Sequence, residues 1–295
     1  MRRLEYRRRA LVRLLTPLAV AAGIAAVHAA DNLKTGGPYV PTPQVVVDQM
    51  LRMANVGADD FVVDLGSGDG VIVLTAARQF KAGGMGVDID AELVKLSNES
   101  AQKLGVADRV RFIQLDVFKT NVSKASVLTL YLLPEMMLNL RPKLFNELKP
   151  GVRIVSHDYH FGDWMPDDQI SFDVPEKEAV NGVPKATIYL WHVPARIAGK
   201  WEVKVAGGET YELALKQRFQ TVDGSVTAAG KQLRPQYLTL RGSEFSFALP
   251  DGKGVARFAG RVKDDAMEGT VELPGGKNPQ RWIATRAEAG VVKID

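Results

Sequence analysis

Between Val62 and Gly70 the chain reads Val-Val-Asp-Leu-Gly-Ser-Gly-Asp-Gly, an apolar run that ends in a turn with glycine at positions 66, 68 and 70. Glycine there lets the backbone come close to a bound molecule, because no Cβ stands in the way. The spacing argues against a dinucleotide, whose pyrophosphate needs a third glycine or alanine three residues after the second. Position 71 is Val. The turn carries Asp64 and Asp69, and such negative charge suits a cationic ligand better than a phosphate. Aspartates also close the next two apolar runs, Asp88 in Gly86-Val87-Asp88 and Asp116 in Gln114-Leu115-Asp116-Val117-Phe118. The plain alternative is a tight turn and three aspartates that merely end strands.

Elements that alternate in type would hold these residues. Strands are predicted at 61–65, 85–89, 110–115, 127–133 and 152–156. Helices are predicted at 71–80, 91–104 and 134–148, the last broken at Pro142. Strand and helix in alternation mean a parallel sheet with helical crossovers. Ahead of them Thr42 caps a helix whose first residue is Pro43; its Val46, Val47, Met50, Leu51 and Ala54 share one face. Asp90 caps the helix at 91, Leu93, Leu96, Ala101 and Leu104 form its buried stripe, and Gly105 closes it. The runs 170–174 and 187–193, joined by a loop with Asn181-Gly182, read as an antiparallel pair finishing the sheet.

After a boundary at Pro194 to Gly199 no helical period remains. Tyr211/Leu213/Leu215, Phe245/Phe247/Leu249, Val271/Leu273 and Trp282/Ala284 alternate, with turn signals at Asp223-Gly224, Arg241-Gly242, Asp251-Gly252 and Gly275-Gly276. That pattern predicts a small all-β barrel or sandwich. Trp201, after Gly199-Lys200, resembles a lipocalin-like opening, which would imply ligand binding; the other reading is a core tryptophan.

The order of strand ends, with Leu148-Lys149-Pro150-Gly151 before the fifth strand, resembles class I S-adenosylmethionine (SAM)-dependent methyltransferases. Tyr39-Val40-Pro41-Thr42, Asp64 to Gly70, Leu130-Tyr131-Leu132-Leu133-Pro134-Glu135 and Val155-Ser156-His157-Asp158 narrow the resemblance. They look like the small protein-lysine methyltransferases that modify the ATP synthase c subunit and the adenine nucleotide translocase, over about residues 38 to 165. The resemblance implies a doubly wound, mostly parallel seven-stranded α/β sheet and SAM as cofactor. It implies that Tyr39, Asp64, Gly66, Ser67, Gly68 and Asp69 line the cofactor's methionine and ribose side. Asp88 would accept the ribose hydroxyls and Asp116 the adenine amino group. Two positions depart from the family: Val71 stands where an arginine is expected, and Asp88 where a glutamate is expected.

Methyl transfer is an in-line displacement in which the enzyme mainly positions donor and acceptor and excludes water. Residues at the ends of strands four and five face the cofactor in such a sheet, which nominates Tyr131 and Glu135, then Asp158. Glu135 can orient an amine or take its proton, Tyr131 can wall the methyl channel, and Asp158 can be a second acceptor. Equally, Glu135 suits a helix start and Tyr131 a core. His157, Asp158, His160 and Asp163 suggest a metal cluster, but alternating positions at a strand end seldom converge on one ion, and the chain has no cysteine. No metal site is expected.

The first 30 residues carry six arginines and one glutamate, followed by the uncharged run Leu-Leu-Thr-Pro-Leu-Ala-Val-Ala-Ala-Gly-Ile-Ala-Ala-Val-His-Ala-Ala from Leu14. This is the layout of a secretory leader, cleaved after Ala29 or Ala30, or of a signal anchor holding the chain to a membrane through residues 10–30. Without it, 32 basic residues face 33 acidic ones. The basic balance belongs to the leader, so no nucleic-acid partner is inferred. Three parts follow: residues 1–30 as leader, 31–196 as SAM-binding domain and 197–295 as β domain. An exported or membrane-anchored enzyme, on the periplasmic side if bacterial, has no evident supply of SAM. The twin arginine Arg8-Arg9 would allow export with cofactor bound, and organelle targeting is the alternative. The acceptor is expected to be a protein, a membrane-associated one included, or else a small molecule or lipid; an exported binding protein with a silent site is a further reading.

Overall fold

The computed structural model describes residues 37–250, 252 and 254–294. The expected leader, residues 1–30, lies outside them. Among the described residues no helix is long and apolar enough to cross a membrane.

The first sheet holds β1 (Phe61–Leu65), β2 (Gly83–Asp88), β3 (Val110–Gln114), β4 (Val127–Leu130), β5 (Arg153–His157), β6 (Asp168–Asp173) and β7 (Lys185–His192). Their order is β3-β2-β1-β4-β5-β7-β6. Five strands run parallel, and β7 pairs antiparallel with both β5 and β6. Helices pack against a parallel sheet from both sides, and accordingly Val62, Val63, Asp64 and Leu65 of β1 are all buried. The strand order reverses between β1 and β4, which opens a crevice at their carboxyl ends.

The helices that flank the parallel strands are α1 (Gln44–Met53), α2 (Val71–Phe80), α3 (Ala91–Lys103) and α4 (Pro134–Glu147). Val46, Val47, Met50 and Leu51 of α1 are buried as their spacing predicts. Its cap is Pro43 rather than Thr42, without a side-chain bond. In α3, Asp90 caps the first turn by accepting from Glu92 N at 2.8 Å and Leu93 N at 3.2 Å, and Gly105 follows at φ 66°. Of the predicted buried stripe Ala101 faces inward, beside Ser97, whereas Leu96 is 45% and Leu104 41% exposed. The inner face must be small. A Cβ on Gly70 would already stand 2.7 Å from Phe112 and 3.0 Å from Ser97, so leucine has no room in that layer. Helix α4 also corrects an expectation, because it runs unbroken through Pro142. Pro142 and Leu138 are not buried, so the carbonyl that loses its helical donor can turn to water.

Val193 to Ala198 lead into a second sheet of β8 (Gly199–Val205), β9 (Thr210–Arg218), β10 (Thr221–Ala228), β11 (Lys231–Leu233), β12 (Gln236–Arg241), β13 (Glu244–Pro250), β14 (Val255–Lys263), β15 (Ala266–Glu272) and β16 (Gln280–Ala289). The order is β11-β10-β9-β8-β16-β15-β14-β13-β12, and β17 (Val292–Lys293) pairs parallel with β9. First and last long strands are therefore neighbours, while the sheet stays open between β11 and β12. It is one curled sheet rather than a closed barrel or a sandwich. Asp223-Gly224 is not a turn: it lies within β10, where a Cβ on Gly224 would meet Ala214 O at 2.5 Å. The turn falls at Phe219-Gln220.

The interior is filled by Trp201, Trp282, Phe245, Phe247 and Phe258. Trp201 is a core residue, its Nε1 donating to Ile197 O at 2.9 Å and the Arg286 guanidinium lying 4.1 Å from its ring.

Candidate active site

The glycine turn starts where β1 ends. Gly66 N and Ser67 N both donate to Val87 O at 2.9 Å, and Gly70 N to Ser67 O at 2.8 Å. Gly66, Gly68 and Gly70 have φ of 79°, 53° and 81°. An L side chain is strained in all three. A Cβ on Gly66 would also stand 2.7 Å from Leu132. The turn therefore brings the ends of β1, β2 and β4 together.

Asp88 has one oxygen on Gly68 N at 2.8 Å and the other on Asp90 N at 3.0 Å. A carboxylate offers about four lone-pair sites, so each fixed oxygen still has capacity for a hydroxyl. Asp64 is buried and accepts from Thr129 Oγ1 at 2.7 Å. Burial pushes its carboxyl up to about 7, and the charges of Asp88 and Asp69 add to the rise against the Thr129 bond. A positive charge beside the three carboxylates would relieve that repulsion. Asp69 accepts from Val71 N at 3.2 Å. Ser67 Oγ is buried with no hydrogen-bond partner among the described residues. Turn, spare carboxylate capacity, unbalanced acidity and orphaned hydroxyl together fit SAM, which brings hydroxyls and two cationic centres.

Asp116 follows β3 and accepts from Phe118 N at 2.9 Å. Beside Asp88 and Asp116 the large apolar side chains of Ile89 and Phe118 are exposed, and they can flank a flat base. Sequence reasoning missed both; an apolar residue next to a strand-end aspartate was the available signal. Tyr39 is exposed and precedes the compact unit that begins at Val40.

At the ends of β4 and β5 the rings of Tyr131 and His157 lie 4.1 Å apart, and Tyr159 stacks on Tyr131 at 6.2 Å. Glu135 is exposed in the first turn of α4. Asp158, at φ 62°, accepts from Thr187 N at 3.0 Å and pairs with Lys177. Lys177 itself is buried and donates to Lys185 O at 2.8 Å, with His157 Nε2 at 3.2 Å. Burial holds His157 down at about 4, reinforced by Lys177 and opposed by Asp158. An ammonium only donates, so Nε2 is the acceptor and the ring proton sits on Nδ1. Nothing in the sequence marked Lys177, which lies in a one-turn 3-10 helix, Pro175–Lys177. Of the four residues whose types suggest a metal cluster, His157 and Asp158 share Lys177, whereas His160 Nδ1 accepts from Gly162 N at 3.0 Å and Asp163 pairs with Arg141 and Arg218.

The chain is similar to known proteins. The ANTKMT methyltransferase domain matches residues 64–168. A protein-lysine N-methyltransferase of Saccharolobus islandicus is 39% identical over 155 residues, covering 52% of this chain and 92% of that protein. The lysine N-methyltransferase of the ATP synthase c subunit from Xenopus laevis is 35% identical over 131 residues, 44% of this chain and 57% of that protein. Against that second relative the chain spans little more than half its length. A crystal structure of an RNA methyltransferase from Salinibacter ruber with S-adenosyl-L-homocysteine is 46% identical, covers 54% of this chain and 96% of that one, and has a TM-score of 0.49.

The protein is a SAM-dependent methyltransferase. Within that class, the chain belongs to the family with the ANTKMT methyltransferase domain, and its relatives include proteins named protein-lysine N-methyltransferase.

Proposed function

We propose that this enzyme methylates a lysine side-chain amine of a protein substrate. The observation that carries the reading is the aromatic wall of Tyr131 and Tyr159 beside the end of β4, next to the turn that fits the cofactor. Aromatic faces attract ammonium groups, and a flat wall guides a slender lysine arm. Relatives whose names specify lysine support it.

A SAM held at this turn would supply a methyl group made electrophilic by its sulfonium, with neutral S-adenosylhomocysteine as the leaving group. Asp64 and Asp69 would hold the cationic side of the cofactor, and Asp88 its ribose hydroxyls. Tyr131 and Tyr159 exclude water from the line of transfer. The amine must lose a proton to attack. Asp158 is committed to Lys177 and Thr187 N, and His157 carries its proton on Nδ1, so neither is a free base. Glu135 remains the exposed carboxylate at the end of β4, able to orient the amine and take its proton.

Incubating the full chain with tritiated SAM and a membrane extract tests this. Label in a protein band that hydrolyses to methyl-lysine is the expected result, absent with Asp88→Ala. Label confined to RNA or to small molecules would overturn the lysine assignment and leave the methyltransferase intact.

A further inference from the structure

The turn between β9 and β10 is not a solvent-facing hairpin tip. Its three residues meet three consecutive residues of the loop that follows β5. Arg218 pairs with Asp163. Phe219, buried despite its place in a turn at φ 49°, lies flat on Trp164, with ring centroids 5.4 Å apart and 5° between planes. Gln220 Nε2 donates to Met165 O at 2.5 Å. Arg141 of α4 joins from the other side, pairing with Asp163, donating to Phe161 O at 3.1 Å and lying over the Phe219 ring at 5.3 Å.

That loop starts at the acceptor side of the site. Tyr159 is its first residue after Asp158, and its ring lies along Tyr131. Ser156 Oγ donates to Tyr159 O, and Phe161 packs between Trp164 and Trp191. The loop therefore runs from the aromatic wall at Tyr159 to a second aromatic cluster, Phe161, Trp164 and Phe219, which reaches the second sheet. A loop of this kind would be mobile without such contacts, and a shift on the order of 1 Å in a positioning group costs about 100-fold in rate.

We propose that the β9–β10 turn of the second sheet is a brace for the acceptor wall, with Arg218, Phe219 and Gln220 as positioning residues that act on Tyr131 through the Tyr159–Met165 loop. It rests on placing the methyl acceptor beside Tyr131. The loop lies inside the stretch matched by the family domain, residues 64–168, whereas the brace lies beyond it. The second sheet thereby gains a role in methyl transfer while leaving the cofactor to the first.

The test is the full chain carrying Arg218→Ala and Gln220→Ala, one exposed and one half-buried change that leave Phe219 in the core, with Arg218→Ala alone as the milder variant. Amide hydrogen exchange over 159–165 should rise about tenfold or more, S-adenosylhomocysteine affinity should stay within about twofold, and total label transferred from SAM to all fractions of the extract should fall about fivefold or more. Arg218→Lys, with Gln220 kept, should recover most of the rate. Unchanged exchange, or raised exchange with an unchanged rate, overturns the brace. Because transfer is summed over all fractions, a failure of the lysine assignment shows separately, as label outside protein.

Discussion

Phe219 in the β9–β10 turn and Trp164 in the loop after β5 lie as parallel plates, 5.4 Å apart. Phe145 of α4 meets both rings edge-on, at 5.8 and 5.5 Å. Val292 and Ile294 near the C-terminus pack on the same cluster. The core of the first sheet therefore takes in Phe219 from the β9–β10 turn, beside the polar contacts of Arg218 and Gln220.

Phe219→Ala should destabilise the whole protein by about 3–5 kcal/mol, the usual loss for deleting a buried phenylalanine with its cavity. Both sheets should melt together at the lower temperature. Calorimetry checks this; an early transition of the second sheet alone, with the first unshifted, would show that the stack does not couple them.

Asp64 ties stability to pH. Its folded carboxyl titrates near 7, mainly through burial, against 3.8 as the ordinary value. The folded chain thus binds more protons than the unfolded one between these values, and stability falls as pH rises through that window. The loss without cofactor is on the order of 4 kcal/mol for a shift of this size. Asp64→Asn should melt higher than the parent at pH 8 and close to it at pH 4, yet bind SAM poorly. In the parent, SAM affinity should increase as pH rises through 7, because the ionised carboxylate is the form that attracts the cation. Parallel melting curves of parent and variant across pH would refute the assignment.

Asp88→Ala removes both fixed oxygens. With about 1.5–3 kcal/mol for each hydrogen bond to a charged group, affinity should fall roughly 100-fold or more. The Gly68 turn should loosen as well. Asp88→Glu, which restores the residue expected in this family, should retain binding within about tenfold. Calorimetric titration with SAM decides, and a loss below tenfold for the alanine variant would place the ribose elsewhere.

Local chemistry made the first sheet readable. Glycines at 66, 68 and 70, the Asp90 cap and the apolar runs before Asp64, Asp88 and Asp116 each act over a few residues, so spacing alone located the turn and strand ends. Packing set the rest. Leu96 and Leu104 obey the helical period but face solvent, because Phe112 and Gly70 leave space only for Ser97 and Ala101. Gly224 carried a turn's composition inside β10, where contact with Ala214 O demands glycine. Lys177 and Phe219 could not be read at all: a lysine in a short 3-10 turn and a phenylalanine in a hairpin turn gain their partners only from distant strands.

Lys177→Met is the sharpest probe of the β5 end. Lys177 is buried between Asp158, Lys185 O and His157 Nε2, and removing one partner of a buried pair costs about 3–5 kcal/mol because the other charge is left uncompensated. The cost should depend on pH. Burial and the ammonium hold His157 down at about 4, against the pull of Asp158. Without the ammonium, Asp158 favours the imidazolium, which can then neutralise it. The destabilisation should therefore be larger at pH 8 than at pH 5, and the double variant Lys177→Met with Asp158→Asn should recover most of it at pH 8. Melting temperatures of parent, single and double variants at the two pH values provide the measurement. A loss independent of pH would mean that Lys177 serves by its packing rather than its charge.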